Sequence, residues 1–388
     1  MHSINSHDEF TRLKSVVVGT FSRESESLES QNPDSDIYKA LSLLQDAYPD
    51  WYVDEVNEDL EGFCNVLRQY DVEVQRPRWP FSGSLYKTPN WISHGYDIYN
   101  VRDNHIIFGD KIISTPPSSR YRQNEHYAYY DIFHKSVIET GAKWLFAPRP
   151  SLPAGFSLPL NKNPTKLELV ESKKHFELSN GLTEEHTYLQ DSEIIFDAAN
   201  IIRIGVDVLY LVSSTGNLSG YRWLKSILGS KYRVHLTDTY RSSHLDSTIC
   251  PLRPGLVLLN GDRVDNNTIP DIFKTWDKIF FTDVSPMPER ELQFYNDVRK
   301  PISTRIAQLG FESPISHISS PWGGLNVFSI NEETVCVEQS QSALIKCLEN
   351  WGMTVIPLQY RHCFTMLGCL HCSTLDLNRE GELIDYCS

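Results

Sequence analysis

Long apolar runs are missing from this chain of 388 residues. No stretch approaches the roughly 20 apolar residues that cross a bilayer, which argues against a membrane-spanning helix. The opening MHSINSHDEF has neither the basic start nor the apolar run of an export signal, so the protein is expected in the cytoplasm. Basic residues are also scarce: 36 Lys and Arg face 50 Asp and Glu, a formal charge of −14. Nucleic-acid affinity is built mostly from Lys and Arg on phosphates, so this balance argues against a DNA or RNA partner. No G-x-G-x-x-G or P-loop follows any apolar run, so the phosphate cradle of a nucleotide-binding fold is lacking. The one C-x-x-C, Cys369 to Cys372, has no second copy, which leaves a zinc site as the weak reading; neither metal nor cofactor is expected. Without an export signal the eight cysteines are expected to stay reduced.

What is present is ordinary globular material. Hydrophobic residues make up 40% and charged residues 22%, too apolar for a disordered chain. The length allows a sizeable core, and the whole of 1–388 is read as one domain.

A helical stretch, a Gly or Asp stop and a short apolar strand recur five times: FCNVLRQYD then VEVQRP, FHKSVIETG then AKWLFAP, YRWLKSILG then SKYRVHLT, STRIAQLG then FESPISH, and ALIKCLENWG then MTVIPLQ. Glycines 141, 229, 310 and 352 stand where a left-handed residue would end each helix. Tight-turn hairpins are read in HIIFGDKIIST, IIRIGVDVLYLV, GLVLLNGDRV and NVFSINEETVCVEQ. A unit of hairpin, helix and strand cannot bury its own apolar face, so the copies are expected to pack side by side in an α/β ring, with an open doubly wound sheet as the alternative. SRESESLESQNPDSD, PRWPFSGSLYKTP and PRPSLPAGFSLPLNKNPTK read as surface insertions.

The chemistry is sought in corresponding loops. Cys372 follows the last helix–strand unit in CFTMLGCLHCSTLDL, while His244 and Asp246 follow the third in TDTYRSSHLDSTI. If the units are related by rotation, a thiol and an imidazole distant in sequence meet, as a Cys/His nucleophilic site requires. Asp103 and Asp197 each stand just before a hairpin strand, flanked by apolar residues. Carboxylates beside a thiol suit a planar guanidinium, whose paired N–H groups match them. The bland readings are that Asp103 pairs with Arg102 and that Asp246 caps a turn. Cys64, Cys250, Cys336 and Cys347 read as core. His371 reads as a structural neighbour, because adjacent side chains of an extended loop point to opposite sides.

FDAANIIRIG, SSHLDSTI, LNGDRV, WGGLNV and LHCSTLDLNREGEL, with the opening NSHDEF and VVVG, resemble the arginine amidinotransferases, from about Asn5 to Tyr386. The resemblance implies a five-bladed pseudosymmetric α/β propeller of the pentein type and a ping-pong transfer, in a homodimer acting on L-arginine and an amine acceptor. It implies that Cys372 is the nucleophile, His244 the acid and base, and Asp197 its orienting partner. Asp103 and Asp246 match the carboxylates that hold the guanidinium, and Arg263 the residue that binds the donor's α-carboxylate; Asn326, in WGGLNV, is taken with the substrate-binding set. Gly324 stands where the family usually has serine, and Leu367-Gly368-Cys369-Leu370 replaces a glycine run. Arg241-Ser242-Ser243 stands where the glycine-using enzymes have Asn-Pro-Met. The smaller Ser243 and the added charge of Arg241 imply an acceptor larger than glycine, such as lysine or a phosphorylated aminocyclitol. An arginine deiminase-like hydrolase and an inactive binding protein are the rivals.

Overall fold

The computed structural model describes residues 3–21, 34–79, 85–94, 98–153, 157–159, 187–237, 239 and 243–388. Five three-stranded sheets share one design, an antiparallel pair followed by a parallel third strand. The first blade joins Thr374–Arg379 to Leu13–Val18 and then Glu73–Gln75, so the two ends of the chain close the ring. The second joins His105–Phe108, Lys111–Ser114 and Lys143–Phe146. The third is Ile201–Ile204, Asp207–Leu211 and Arg233–Thr237. The fourth is Ile249–Arg253, Leu256–Asn260 and Asp277–Phe281, and the fifth Phe328–Ser329, Thr334–Glu338 and Thr354–Leu358. This is the five-bladed α/β propeller; an open sheet is excluded.

The first two strands of a blade are mostly buried on both faces, which is why they read as continuous apolar runs, whereas the third strands carry half-buried or exposed positions. In every blade but the fourth a helix returns the chain from second to third strand. In Asp50–Gln69 the buried Tyr52, Val56, Leu60, Phe63 and Leu67 recur at helical spacing. In Leu218–Leu228 the buried Leu224 and Leu228 pack on Val208, Tyr210 and Val234, and Asn217 caps the start by accepting from Gly220 N. Glycines 141, 229, 310 and 352 all take positive φ, between 64° and 86°, as the stop positions demand.

The fourth module differs from its sequence reading. STRIAQLG lies in the helix Lys300–Gln308, but FESPISH forms no strand; the outer strand of that blade is Asp277–Phe281, preceded only by the short 3-10 turn Asp271–Phe273. The fourth hairpin turns at Gly255 (φ 77°), one strand earlier than GLVLLNGDRV implies. An apolar run has no direction of pairing written in it, so the partner strand was misassigned.

Where the five inner strands converge, the molecule is charged. Arg203 donates to Glu9 through Nε and Nη2, each at 2.9 Å, and to Asp376 Oδ2 at 2.7 Å. Arg102 reaches Asp376 Oδ1 at 2.6 Å and Arg379 reaches Oδ2 at 2.8 Å. All five are buried, and Ser6 joins them by donating to Asp376 at 2.8 Å. The opening NSHDEF is thereby explained: it threads Ser6 and Glu9 into the axis. Removing one partner of such a cluster leaves uncompensated buried charge, so Arg203→Met is expected to cost about 3–5 kcal/mol, read as a lowered urea midpoint.

Candidate active site

One structural position recurs in all five blades: the turn just before the innermost strand. Cys372 precedes Thr374–Arg379, Asp103 precedes His105–Phe108, Asp197 precedes Ile201–Ile204, Asp246 precedes Ile249–Arg253, and Asn326 precedes Phe328–Ser329. Pseudo-fivefold symmetry therefore turns residues far apart in sequence into one ring of side chains. Short 3-10 turns, Val101–Asp103, Ala198–Asn200 and Pro321–Leu325, set three of these positions.

Cys372 is held from two sides. Its backbone N–H donates to Asn326 Oδ1 at 2.9 Å, and its carbonyl accepts from Arg102 N at 3.0 Å. Its thiol donates to Asp246 Oδ2 at 3.2 Å. Burial, and then the negative charges of Asp246 and Asp103, push the thiol well above its ordinary range, so these surroundings favour the protonated form. The other amide arm of Asn326, Nδ2, is buried with no hydrogen-bond partner.

His244 stands opposite. Nε2 is 3.0 Å from Asp197 Oδ2 and Nδ1 is 3.5 Å from Asp103 Oδ1. Burial works against its charge, but Asp103 and Asp197 prevail and raise it to about 9. Asp197 is fixed by accepting from Ser118 N at 2.9 Å. Asp103 is pushed up from the usual carboxylate range, chiefly by burial, against the pull of His244 and Arg122. Its Oδ1 makes no hydrogen bond although it is buried. Asp246 goes the other way: burial is outweighed by His371 and His244, and it falls to about 2.

Three sequence readings change here. Asp103 does not pair with Arg102, which turns to the axis; its partner is Arg122, which also donates to Glu125 Oε1 at 2.7 Å and Asn100 O at 2.8 Å. Nothing in the sequence around Arg122 marks it as the partner of Asp103. His371 and Cys372 do not diverge, because the backbone from 361 to 373 is a series of turns; both side chains reach the same oxygen, Asp246 Oδ2. Asp246 does more than cap a turn. Arg263 lies beyond Asp246, donating to Thr248 Oγ1 at 3.0 Å and to Ser247 and Ser320 hydroxyls at 3.4 and 3.3 Å. Ser243 is half-buried next to His244 in the chain, and Arg241 lies outside the described residues. Among the described residues no group of three or more His, Cys, Asp or Glu could hold a metal ion.

No family model matches the chain. Inosamine-phosphate amidinotransferase 1 of Streptomyces griseus is 34% identical over 388 residues, spanning 98% of this chain and 99% of that protein. The chain belongs to the amidinotransferase family. A solved inosamine-phosphate amidinotransferase structure from the same organism superimposes with a TM-score of 0.76 at 32% identity, covering 99% of each chain. An L-arginine:L-lysine amidinotransferase of Pseudomonas savastanoi pv. phaseolicola is 28% identical, over 87% of this chain and 83% of that one.

This amidinotransferase accommodates its two departures from the family pattern in distinct ways. A side chain at Gly324 would meet the Gln341 amide group within 2.5–2.8 Å, so Gln341, which also accepts from Ser285 N, fills the space a serine would use. Leu367 takes the left-handed conformation (φ 60°) that glycine adopts without strain. Gly368 cannot be replaced cheaply, because a Cβ there would lie 2.1 Å from Asn100 Oδ1 and 2.6 Å from Cys372 Cβ. Asn100 in turn donates to Met366 O at 2.8 Å, fixing the loop.

Proposed function

We propose that this amidinotransferase moves the amidino group of L-arginine through a covalent amidino-Cys372 to an acceptor amine larger than glycine, releasing L-ornithine. The observation that carries this reading is the Cys372 thiol donating to the Asp246 carboxylate, with the buried Asp103 carboxylate across the site, whose Oδ1 makes no hydrogen bond and lies 3.5 Å from His244 Nδ1. Burial and the two carboxylates raise the thiol, and positive charge brought beside it works against both carboxylates. A guanidinium does this: it offers N–H donors to Asp246 and Asp103 and its own cation draws the thiol toward thiolate.

Cys372 Sγ then bonds to the guanidinium carbon and the bond to the δ-nitrogen breaks. His244, already protonated at neutral pH, donates to the departing amine, and the thiol's proton makes good that loss. Ornithine leaves and a cationic amidino-thioether remains. The acceptor amine attacks the same carbon; His244 gives its proton to the departing sulfur as the carbon–sulfur bond breaks and takes up the amine's surplus proton, which restores the Cys372 thiol and leaves the imidazolium as it began. Arg263, between three hydroxyls, is suited to the donor's α-carboxylate. Asn326 Nδ2 is a ready donor beside the reacting centre.

The acceptor reading rests on Ser243, small and half-buried beside His244, and on the 34% identity to an inosamine-phosphate amidinotransferase; relatives named for L-lysine and for glycine match at 28% and 30% and do not separate those two. Arginine incubated with lysine, a phosphorylated aminocyclitol amine or glycine is expected to release ornithine fastest with one of the first two. Equal or faster release with glycine overturns the acceptor reading. Citrulline and ammonia without any amine would make the protein a hydrolase.

A further inference from the structure

The residue before the nucleophile is tied into the site more closely than any neighbour role requires. His371 Nδ1 is 2.9 Å from Asp246 Oδ2 and Nε2 is 3.4 Å from Glu9 Oε2. Each ring nitrogen therefore faces a carboxylate oxygen, and an ionised carboxylate only accepts. Both contacts are satisfied only when both nitrogens carry a proton, that is, when the ring is a cation. Glu9 is itself immobilised by Arg203, at 2.9 Å through each of its two oxygens, so the ring is clamped against the rigid axis. A small cavity of about 20 Å³ adjoins this chain, lined in part by Glu9, Asp246, His371, Cys250 and Ser329, and is large enough for one water.

We infer that His371 is a positioning residue of the transfer reaction: as an imidazolium held by Glu9, it fixes the Asp246 carboxylate beside Cys372 and offsets its charge at the sulfur. The inference rests on the reading of Cys372 as nucleophile. Unbalanced, the Asp246 charge would raise the thiol further and leave the carboxylate free to turn. The cation one residue from Cys372 opposes both effects. The charged and titratable groups around His371 are consistent with this. Asp246 comes from the fourth blade's turn and Glu9 from the N-terminal segment. Arg102 comes from the second blade's turn, and Cys372 is the chain neighbour. Arg203 and Asp376 lie behind Glu9, and His244 acts on Asp246 from the far side. Burial and Arg102 disfavour the cation, but Asp246 and Glu9 outweigh them and raise the imidazole above its ordinary value.

His371→Gln can still donate to Asp246 but has no charge, and His371→Asn has the charge removed with a shorter reach. In full-length protein, both are expected to raise the KM for arginine about 10- to 100-fold. Both are also expected to move the pH profile of Cys372 alkylation by iodoacetamide upward by about one unit. A merely structural histidine would lower thermal stability and leave both readings where they were; that outcome overturns the proposal. Neutron diffraction of the unaltered protein near neutral pH gives an answer independent of any variant: deuterons on both nitrogens of His371 are expected, and a single one overturns the cation. Failure of the covalent mechanism itself is separable. In that case the unaltered enzyme, quenched in acid after arginine alone, carries no adduct on the Cys372 peptide, while alkylation and protonation still report on the clamp.

Discussion

Cys372→Ala is expected to release no measurable ornithine from arginine, a loss of about 10⁵–10⁶-fold, and to form no adduct when arginine is supplied alone. The magnitude follows from the division of labour in the site. His244, Asp103 and Asp246 can bind and polarise a guanidinium without the sulfur, but none of them can hold the amidino group between the two half-reactions. Positioning alone therefore leaves a residue of activity and no transfer. The substitution removes one buried sulfur whose thiol bonds to Asp246 at 3.2 Å, so the cost to folding is small beside the cost to turnover. Intact-mass analysis after acid quenching checks the adduct, and thermal unfolding checks the fold. Turnover within tenfold of the unaltered enzyme would sink the covalent route.

His244 carries the second large expectation. Its imidazole is raised to about 9, so the free enzyme holds the proton needed by the departing amine throughout the neutral range. Values of kcat/KM for arginine are expected to fall as pH rises through about 9, where that proton is lost. His244→Asn is expected to lower kcat by about 10²–10⁴-fold and to abolish that alkaline limb. The same shift has a consequence for stability. A folded value of about 9 lies above the ordinary 6.5, so the proton is bound more tightly in the folded chain. The stabilisation, of order 3 kcal/mol, is complete below pH 6.5 and fades as pH climbs to about 9. Urea unfolding of the two proteins at pH 6 and pH 9.5 tests the sign: the gap between them should narrow at the higher pH.

The chain of ion pairs behind Cys372 links these expectations to the fold. Glu9, Arg203 and Asp376 seal the centre of the ring, and the same Glu9 meets His371. The charged axis is therefore also the back wall of the site, so a change such as Arg203→Met is expected to weaken both.

The hairpins at 105–114 and 201–211 and the glycine stops at 141, 229, 310 and 352 were legible in the sequence. Local sterics and apolar periodicity decide them within a few residues. The count of five modules followed. Cys372, His244, Asp103, Asp197 and Asp246 could be singled out as a thiol, an imidazole and carboxylates just before apolar strands, and the ring brings them together; the roles given to them are proposed. What the sequence could not contain is who faces whom. Arg122 meets Asp103 across 19 residues, His371 meets Asp246 across 125 and Glu9 across 362. The outer strand of the fourth blade could not be told from the loop that mimics it. Strand pairing and ion pairing are set by free-energy differences among compact arrangements, and only the closed ring, by excluding water from its centre, makes one set of partners mandatory.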